Sequence, residues 1–238
     1  GAWSNHIYAT AAAGKRFGFK TIGIIRGESH HSLNPTLEFA HSCGMQLEYV
    51  NRETYRNKTS TDFINTLHQR YGDFYLLPQG GSNQLALKGC AEIVTDIDIP
   101  FDTITVACGT GATLAGITTA LNTDQHAMGF AVLKGADFLN SDVTKMLTEY
   151  GYPSLNNWHI ENAYHFGGYA RTSATLFAFI KKFKSDFGIE LDAVYTGKMF
   201  FGLFDLVSKG AFETGTRIVA VHTGGVQGNA GFPELIFD

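Results

Sequence analysis

The amino-acid sequence predicts an α/β protein made of two three-layer α/β/α domains with parallel sheets. Short β-branched stretches alternate with helix-length segments along the chain of 238 residues, and this alternation is typical of parallel sheets with crossover helices. Polar or Gly-rich strings follow several of the predicted strands, where parallel sheets place their ligands. The composition, 44% hydrophobic and 17% charged, supplies enough apolar side chains for a sizeable core.

Residues 1–77 are predicted to form the smaller domain. Its predicted helices span 6–17, 34–43 and 59–71, and its predicted strands span 20–26, 46–50 and 74–77. Gly44 would end the second helix, and Ser60 or Thr61 would cap the third. This order of elements favours a parallel sheet.

Residues 78–238 are predicted to form the larger domain. Its predicted helices span 83–97, 113–121, 141–150, 172–187 and 200–209, and its predicted strands span 103–107, 127–132, 191–194 and 217–222. Residues 151–169 mix aromatic residues, glycine and asparagine without a clean period, and we interpret them as a functional loop region. Residues 194–198 are predicted to form a further loop.

Charge, hydropathy and cysteine spacing argue against nucleic-acid binding, a membrane segment, a disulfide framework and a metal site. The net charge is −4 and no stretch concentrates lysine and arginine, so we do not expect nucleic acid as a partner. No apolar run approaches the roughly 18 to 20 residues that cross a bilayer, so we expect no membrane segment. The 3 cysteines are widely separated, which favours a reducing cytoplasm over a disulfide framework or a zinc site. His30, His31 and His41 lack acidic or thiol partners at ligand spacing, so we expect no metal site.

The most informative motif is Gly109-Thr110-Gly111-Ala112-Thr113, which follows a predicted strand and leads into a helix. Glycines let a backbone approach an anion closely, the N–H groups of a helix N-terminus carry positive potential, and threonine hydroxyls add donors. The spacing matches neither a P-loop nor the GxGxxG pattern. The motif therefore predicts a phosphate cradle, with a Gly-rich turn that holds no ligand as the alternative.

Other polar strings stand at predicted element boundaries. Ser4-Asn5 begins the first helix and would serve there most simply as a cap. Gly80-Gly81-Ser82-Asn83 has the same form, and a cap is the simpler interpretation. Two more strings follow predicted strands, namely Tyr195-Thr196-Gly197-Lys198 and His222-Thr223-Gly224-Gly225. Their joint placement at strand ends favours a ligand site more than any one of them does.

Six strings in register carry a resemblance to a known family. SNH, PQGGSN, ACGTGATLAG, HFGGYA, VYTGK with GLFDL, and HTGG occur in the order found in the family that contains 1-aminocyclopropane-1-carboxylate deaminase and D-cysteine desulfhydrase. The resemblance covers essentially the whole chain. It implies a tryptophan-synthase-β-like fold, a pyridoxal 5′-phosphate cofactor, a small amino acid as substrate, and a homodimer.

The resemblance also implies roles for single residues. Gly109, Thr110, Gly111, Ala112 and Thr113 would bind the cofactor phosphate. In the same way, Asn5 would contact the phenolic oxygen of the cofactor ring, Ser4 the substrate carboxylate or a proton in transfer, Tyr195 and Tyr169 the reacting atoms, and Thr223 the pyridine nitrogen.

Two departures from the family pattern matter. Where sequences resembling the cyclopropane deaminase have a glutamate that keeps the pyridine nitrogen protonated, this chain has Thr196, which favours D-cysteine as substrate. The family's Schiff-base lysine lies upstream of SNH in a GNK-like segment, whereas this chain starts at Gly1. We therefore expect that a front segment is missing and that the chain as given is inactive. Lys198 is the candidate replacement, although the resemblance gives it a structural role.

The sequence predicts a pyridoxal-phosphate-dependent lyase or deaminase that releases an α-keto acid and ammonia. Two other functions stay open. One is a non-catalytic module that binds an amino acid or a phosphate ligand, and the other is an unrelated α/β protein that binds a nucleotide phosphate at the 109–113 loop.

Overall fold

The computed structural model describes residues 1–29, 32–153 and 156–235. The chain forms two compact units, of which the first is Gly1–Leu77 and the second begins at Pro78. Each unit contains a parallel sheet with helices beside it. The prediction of an α/β protein with parallel sheets is therefore confirmed.

The small unit alternates helices and strands in the predicted order. Its elements are α1 (Asn5–Phe17), β1 (Ile22–Arg26), α2 (Pro35–Ser42), β2 (Gln46–Val50), α3 (Arg52–Arg56) and α4 (Thr61–Tyr71). β1 and β2 pair in parallel, and Ala11, Ala40 and Met45 form a buried cluster beside them. This cluster joins α1 and α2 to the sheet.

Capping side chains fix where the helices of the small unit begin. Ser4, Asn34, Asn51 and Ser60 each accept a hydrogen bond from the backbone N–H three residues ahead. Such a cap satisfies one of the donors that a helix N-terminus leaves unpaired. Short polar residues are therefore the sequence signal that marks each helix start here.

One expectation for the small unit was wrong, and one of its helices was missed. Residues 74–77 belong to no strand of the described structure, and Tyr75, Leu76 and Leu77 are exposed, so they lack the buried face that a strand needs. Helix α3 was not predicted, because its five residues are too few to show a helical period.

The large unit contains a longer parallel sheet. Its helices are α5 (Gln84–Thr95), α6 (Ala112–Thr118), α7 (Phe138–Glu149), α8 (Ala174–Phe187) and α9 (Thr196–Ser208). Its strands are β3 (Thr103–Cys108), β4 (His126–Ala131), β5 (Trp158–Glu161) and β6 (Ile218–Ala220), in the spatial order β5-β4-β3-β6. Strand β5 lies inside the segment that was expected to be irregular.

Both faces of this sheet are covered. Along β4, Ala127 and Ala131 belong to a core cluster with side chains of α5, α6 and α7. Met128 and Phe130, on the alternate positions, belong to a second cluster with side chains of α8 and α9. Because strand neighbours point to opposite faces, the sheet is the middle layer of three.

Helices α5 and α6 pack at very close range through Gly116, so we expect Gly116→Ala to destabilise the protein. A Cβ at this position would clash with Cys90 Cβ and would lie 2.7 Å from the Leu87 carbonyl oxygen. Overpacking of this kind costs about 1–3 kcal/mol. Gly89→Ala on α5 is the matched control, because a Cβ there meets nothing within 4 Å and alanine favours a helix by up to about 1 kcal/mol. Urea unfolding of both variants measures the two effects, and equal stabilities would contradict the packing argument.

Candidate functional site

The 109–113 loop connects the centre of the sheet to a helix N-terminus. It leaves β3 at Cys108 and enters α6 at Ala112. Among the described residues, no group accepts a hydrogen bond from the backbone N–H groups of 109–113. Several donors therefore point out of one short loop at the carboxyl edge of the sheet, an arrangement suited to an anion.

The turn at 80–82 packs against this loop. Ser82 Oγ donates a hydrogen bond of 2.8 Å to Thr110 Oγ1, which leaves the hydrogen of the Thr110 hydroxyl free for a ligand. Gly80 has φ of +72°, and a Cβ there would lie 2.8 Å from Thr110 Cγ2. Asn83 caps α5 as expected, with a hydrogen bond from Ala86 N. The Gly-Gly-Ser string therefore shapes the loop as well as starting a helix.

Tyr195 lies against the same loop. A Cβ at Gly109 would stand 3.1 Å from Tyr195 Cε1, so only glycine lets the ring approach the backbone this closely. The ring of Tyr169 meets that of Tyr195 edge to face, with centroids 6.1 Å apart. Burial raises the pKa of Tyr195, and the Tyr169 hydroxyl and Asp192 add to the rise. Tyr195 is thus a phenol that keeps its proton at neutral pH.

Asp192 fixes the turn that presents Tyr195. The predicted strand 191–194 was wrong: residues 193–195 form a turn and α9 begins at Thr196. The buried carboxylate of Asp192 accepts hydrogen bonds of 2.8–2.9 Å from the N–H groups of Val194, Tyr195 and Thr196. A carboxylate that gathers three successive donors curls the backbone, which excludes a strand.

Thr196 is used inside this turn. Its hydroxyl donates to Asp192 Oδ1 at 2.7 Å and accepts from Asp192 N at 2.9 Å, and the residue is fully buried. Because its one hydrogen is engaged, this hydroxyl has none to donate to a cofactor ring. This geometry gives Thr196 a role in its own loop. That Thr196 also binds the cofactor, as the family resemblance implies, stays a prediction.

Lys198 points into the protein and not toward solvent. Its side chain is 1% exposed, and its amino group donates hydrogen bonds to the carbonyl oxygens of His165 at 3.0 Å and Gly168 at 2.8 Å. Burial lowers the pKa of Lys198 to about 8, against an opposing effect of Asp192. The amine is committed to two carbonyls, which agrees with a structural role.

Thr223 stands at the same edge of the sheet. It follows β6, which pairs in parallel with β3, so their carboxyl ends are neighbours. Thr223 is exposed.

Asn229 was missed by sequence reasoning. Its buried side chain accepts from Ala193 N and donates to the Leu191 carbonyl, which ties the last part of the chain to the Tyr195 turn.

Ser4 and Asn5 belong to the small unit. Ser4 Oγ accepts a hydrogen bond from Ile7 N at 3.3 Å, so the capping role is present, and its hydroxyl hydrogen is still available. Asn34 Nδ2 donates to the Ala2 carbonyl, which places the start of α1 beside the start of α2. Since α2 follows β1, Ser4 and Asn5 lie at the carboxyl edge of the small sheet.

The part of the chain that the structure describes contains neither a metal-binding cluster nor a membrane-spanning helix. No group of three or more His, Cys, Asp or Glu side chains that could hold a metal ion occurs among these residues, and His30 and His31 lie outside them. None of the described helices combines the length and the apolar character needed to cross a membrane.

Comparisons with known proteins agree on one family. The chain matches the family model described as “Pyridoxal-phosphate dependent enzyme” over residues 2–224. It is 31% identical over 237 residues to a Pyrococcus horikoshii protein named “Putative 1-aminocyclopropane-1-carboxylate deaminase”, with 94% of this chain and 72% of the relative covered. It is also 31% identical over 255 residues to an Arabidopsis thaliana protein named “Bifunctional D-cysteine desulfhydrase/1-aminocyclopropane-1-carboxylate deaminase, mitochondrial”, with 96% and 63% covered.

A solved structure gives the same result for the fold. The crystal structure of an ACC deaminase homologue matches with a TM-score of 0.81 and 30% identity, over 96% of this chain and 73% of that chain. The match confirms the predicted tryptophan-synthase-β-like fold.

Proposed function

Because this chain belongs to the pyridoxal-phosphate-dependent enzymes, we propose that it acts as a deaminase or lyase on a small amino acid, with an α-keto acid and ammonia as products. The observation that carries the proposal is the 109–113 loop, whose unpaired backbone donors lie beside the proton-bearing phenol of Tyr195. Relatives named for deamination of 1-aminocyclopropane-1-carboxylate and for desulfhydration of D-cysteine give the substrate class.

The residues of the large unit fit the phosphate of the cofactor. The loop offers backbone N–H groups without partners, and the hydrogen of the Thr110 hydroxyl is free because Ser82 donates to the oxygen. Gly109 supports the fit, since a Cβ there would push the Tyr195 ring away from the loop. A phosphate dianion needs such a set of convergent donors, and α6 adds the positive end of its helix dipole.

We assign the following steps to the chain's own residues. The bound cofactor supplies an electron sink that acidifies the substrate α-carbon or permits nucleophilic opening of a cyclopropane ring. Residues 109–113 hold the phosphate and so fix the cofactor ring. Tyr195 holds a proton at its phenolic oxygen and delivers it to, or exchanges it with, the reacting carbon. Tyr169 stands beside it as the second active-site phenol, and Thr223 is proposed to face the pyridine nitrogen.

Asn5 and Ser4 are proposed to have the roles that the family resemblance implies. Asn5 would hydrogen-bond the phenolic oxygen of the ring, and Ser4 would bind the substrate carboxylate with the hydrogen that capping leaves free.

The family resemblance that supports these roles also supports a homodimer. Free cysteines among the described residues are consistent with a cytoplasmic protein.

D-Cysteine is the substrate that we favour. Residue 196 is a buried threonine and not a glutamate, so this position provides no carboxylate to keep the pyridine nitrogen protonated. Loss of a β-substituent such as sulfide needs less stabilisation of a carbanion than opening of a cyclopropane ring does. A weaker electron sink therefore suits a β-elimination better.

Two measurements test this proposal on protein expressed from its complete gene. The purified protein should be yellow, and it should release pyruvate from D-cysteine with a higher kcat/KM than the keto acid from 1-aminocyclopropane-1-carboxylate. A colourless protein would overturn the enzyme assignment, and the reverse preference would overturn the substrate choice. Cofactor binding without any keto acid from either substrate would favour a non-catalytic binding module.

A further inference from the structure

The segment that carries Tyr169 is a strained double turn. Gly168 N donates to the His165 carbonyl, and Arg171 N donates to the Gly168 carbonyl, so two turns follow each other and share Gly168. Phe166 and Ala170 both have φ of +53°, in the left-handed region that side chains other than glycine rarely adopt. Such a conformation persists only when its surroundings hold it.

Lys198 reaches this double turn at the carbonyls that close it. Its amino group donates to the His165 oxygen and to the Gly168 oxygen, which are the acceptors of the two turn hydrogen bonds. Side-chain hydrogen bonds from a buried cation are among the stronger ones in proteins. Lys198 therefore contacts the turn that precedes Tyr169 and the turn that contains it.

The same stretch of chain also fixes the other tyrosine. Asp192 holds the N–H of Tyr195 at 2.9 Å, and Lys198 follows three residues after Tyr195 on the first turn of α9. One short segment thus anchors Tyr195 through a carboxylate and Tyr169 through an amine. The edge-to-face contact of the two rings, with centroids 6.1 Å apart, is the geometric result.

We propose that Lys198 is a positioning residue, whose amino group clamps the 165–171 double turn so that Tyr169 meets Tyr195, and that it does not supply the reactive amine for the cofactor. This inference deepens the proposed function and rests on it for the meaning of the tyrosine pair. Burial supports the proposal, since the residue is 1% exposed and its amine is hydrogen-bonded to both carbonyls.

Hydrogen–deuterium exchange on the chain without added cofactor tests the clamp directly. In Lys198→Met, a near-isosteric change that removes the donors, we expect the amides of Gly168 and Arg171 to exchange about tenfold faster or more, while amides of β3 and β4 keep their rates. Lys209→Met, at the C-cap of the same helix, is the control, because Lys209 pairs with Asp205 at the surface. This variant should leave all these rates unchanged. Wild-type exchange at the double turn in Lys198→Met would overturn the proposal.

A second measurement decides the question even if Lys198→Met does not fold. Wild-type chain is mixed with pyridoxal phosphate, treated with borohydride and mapped by mass spectrometry, and Lys198 should carry no cofactor adduct. An adduct on Lys198 would show that it is the reactive amine. The exchange experiment tests only the clamp. If the wild-type protein shows no activity but Lys198→Met still loosens the double turn, the enzyme assignment is wrong and the clamp is supported.

Discussion

Asp192→Ala is expected to lower the free energy of unfolding by more than about 3 kcal/mol, because each buried donor left without an acceptor costs about 1–3 kcal/mol. The change removes the acceptor of the N–H groups of Val194, Tyr195 and Thr196 and of the Thr196 hydroxyl. Alanine leaves these donors in a site where the residue is only 2% exposed. Urea denaturation of wild type and variant measures the difference.

Asp186→Ala is the matched control for this experiment. Asp186 pairs with Lys182 on the exposed side of α8, and surface pairs of this kind contribute about 0–1 kcal/mol. Asp192→Asn should fall between the two, since an amide retains one acceptor oxygen and places an NH₂ group against the remaining donors. An Asp192→Ala variant as stable as Asp186→Ala would show that the turn at 192–196 does not depend on the carboxylate.

Tyr195→Phe is expected to reduce kcat of the full-length enzyme by about 10²- to 10⁴-fold, the usual contribution of a positioned acid or base. The variant keeps the ring that lies against Gly109 and loses only the hydroxyl. Cofactor affinity and thermal stability should therefore stay close to wild type. Steady-state kinetics with D-cysteine, together with a cofactor titration, separate these effects.

Tyr164→Phe provides the comparison for this variant. It also removes a phenolic hydroxyl, one that donates to Asp205 at 2.7 Å, but Tyr164 has no place in the proposed site. We expect its kcat to stay within about twofold of wild type. If both variants lose activity equally, the cause is the loss of a half-buried phenolic hydroxyl and not the loss of an acid–base group.

The sequence was sufficient to predict the fold class and the strand-to-helix loop at 109–113, whereas phosphate binding by this loop stays a prediction. The positions of strands and helices can be predicted from the sequence, because the periodicity of apolar residues and the short polar caps determine where these elements form. The loop at 109–113 was equally predictable, because two glycines directly after a buried strand indicate a turn into the next element. The same reasoning brought Thr223 to the neighbouring strand end.

The turn at residues 193–195 could not be predicted in this way. Leu191 and Ala193 are buried, as they would be in a strand, and nothing local shows that the carboxylate between them collects three N–H groups. The partners of Lys198 lie 30 and 33 residues away along the chain. The hydrogen bonds of its amine could therefore not be predicted from the local sequence pattern. Asn229 is separated by 36 residues from the Ala193 N–H that it accepts. Long-range hydrogen bonds to backbone atoms leave almost no trace in a single sequence.

The spacing between Asp192 and Lys198 has a consequence for how this protein can vary. Asp192, at one end of the segment, positions Tyr195, and Lys198, at the other end, holds the turns around Tyr169. An insertion or deletion inside α9 before Lys198 would move the lysine by about 100° per residue around the helix axis, away from both carbonyls. The length of this segment is therefore constrained together with the identities of Asp192 and Lys198.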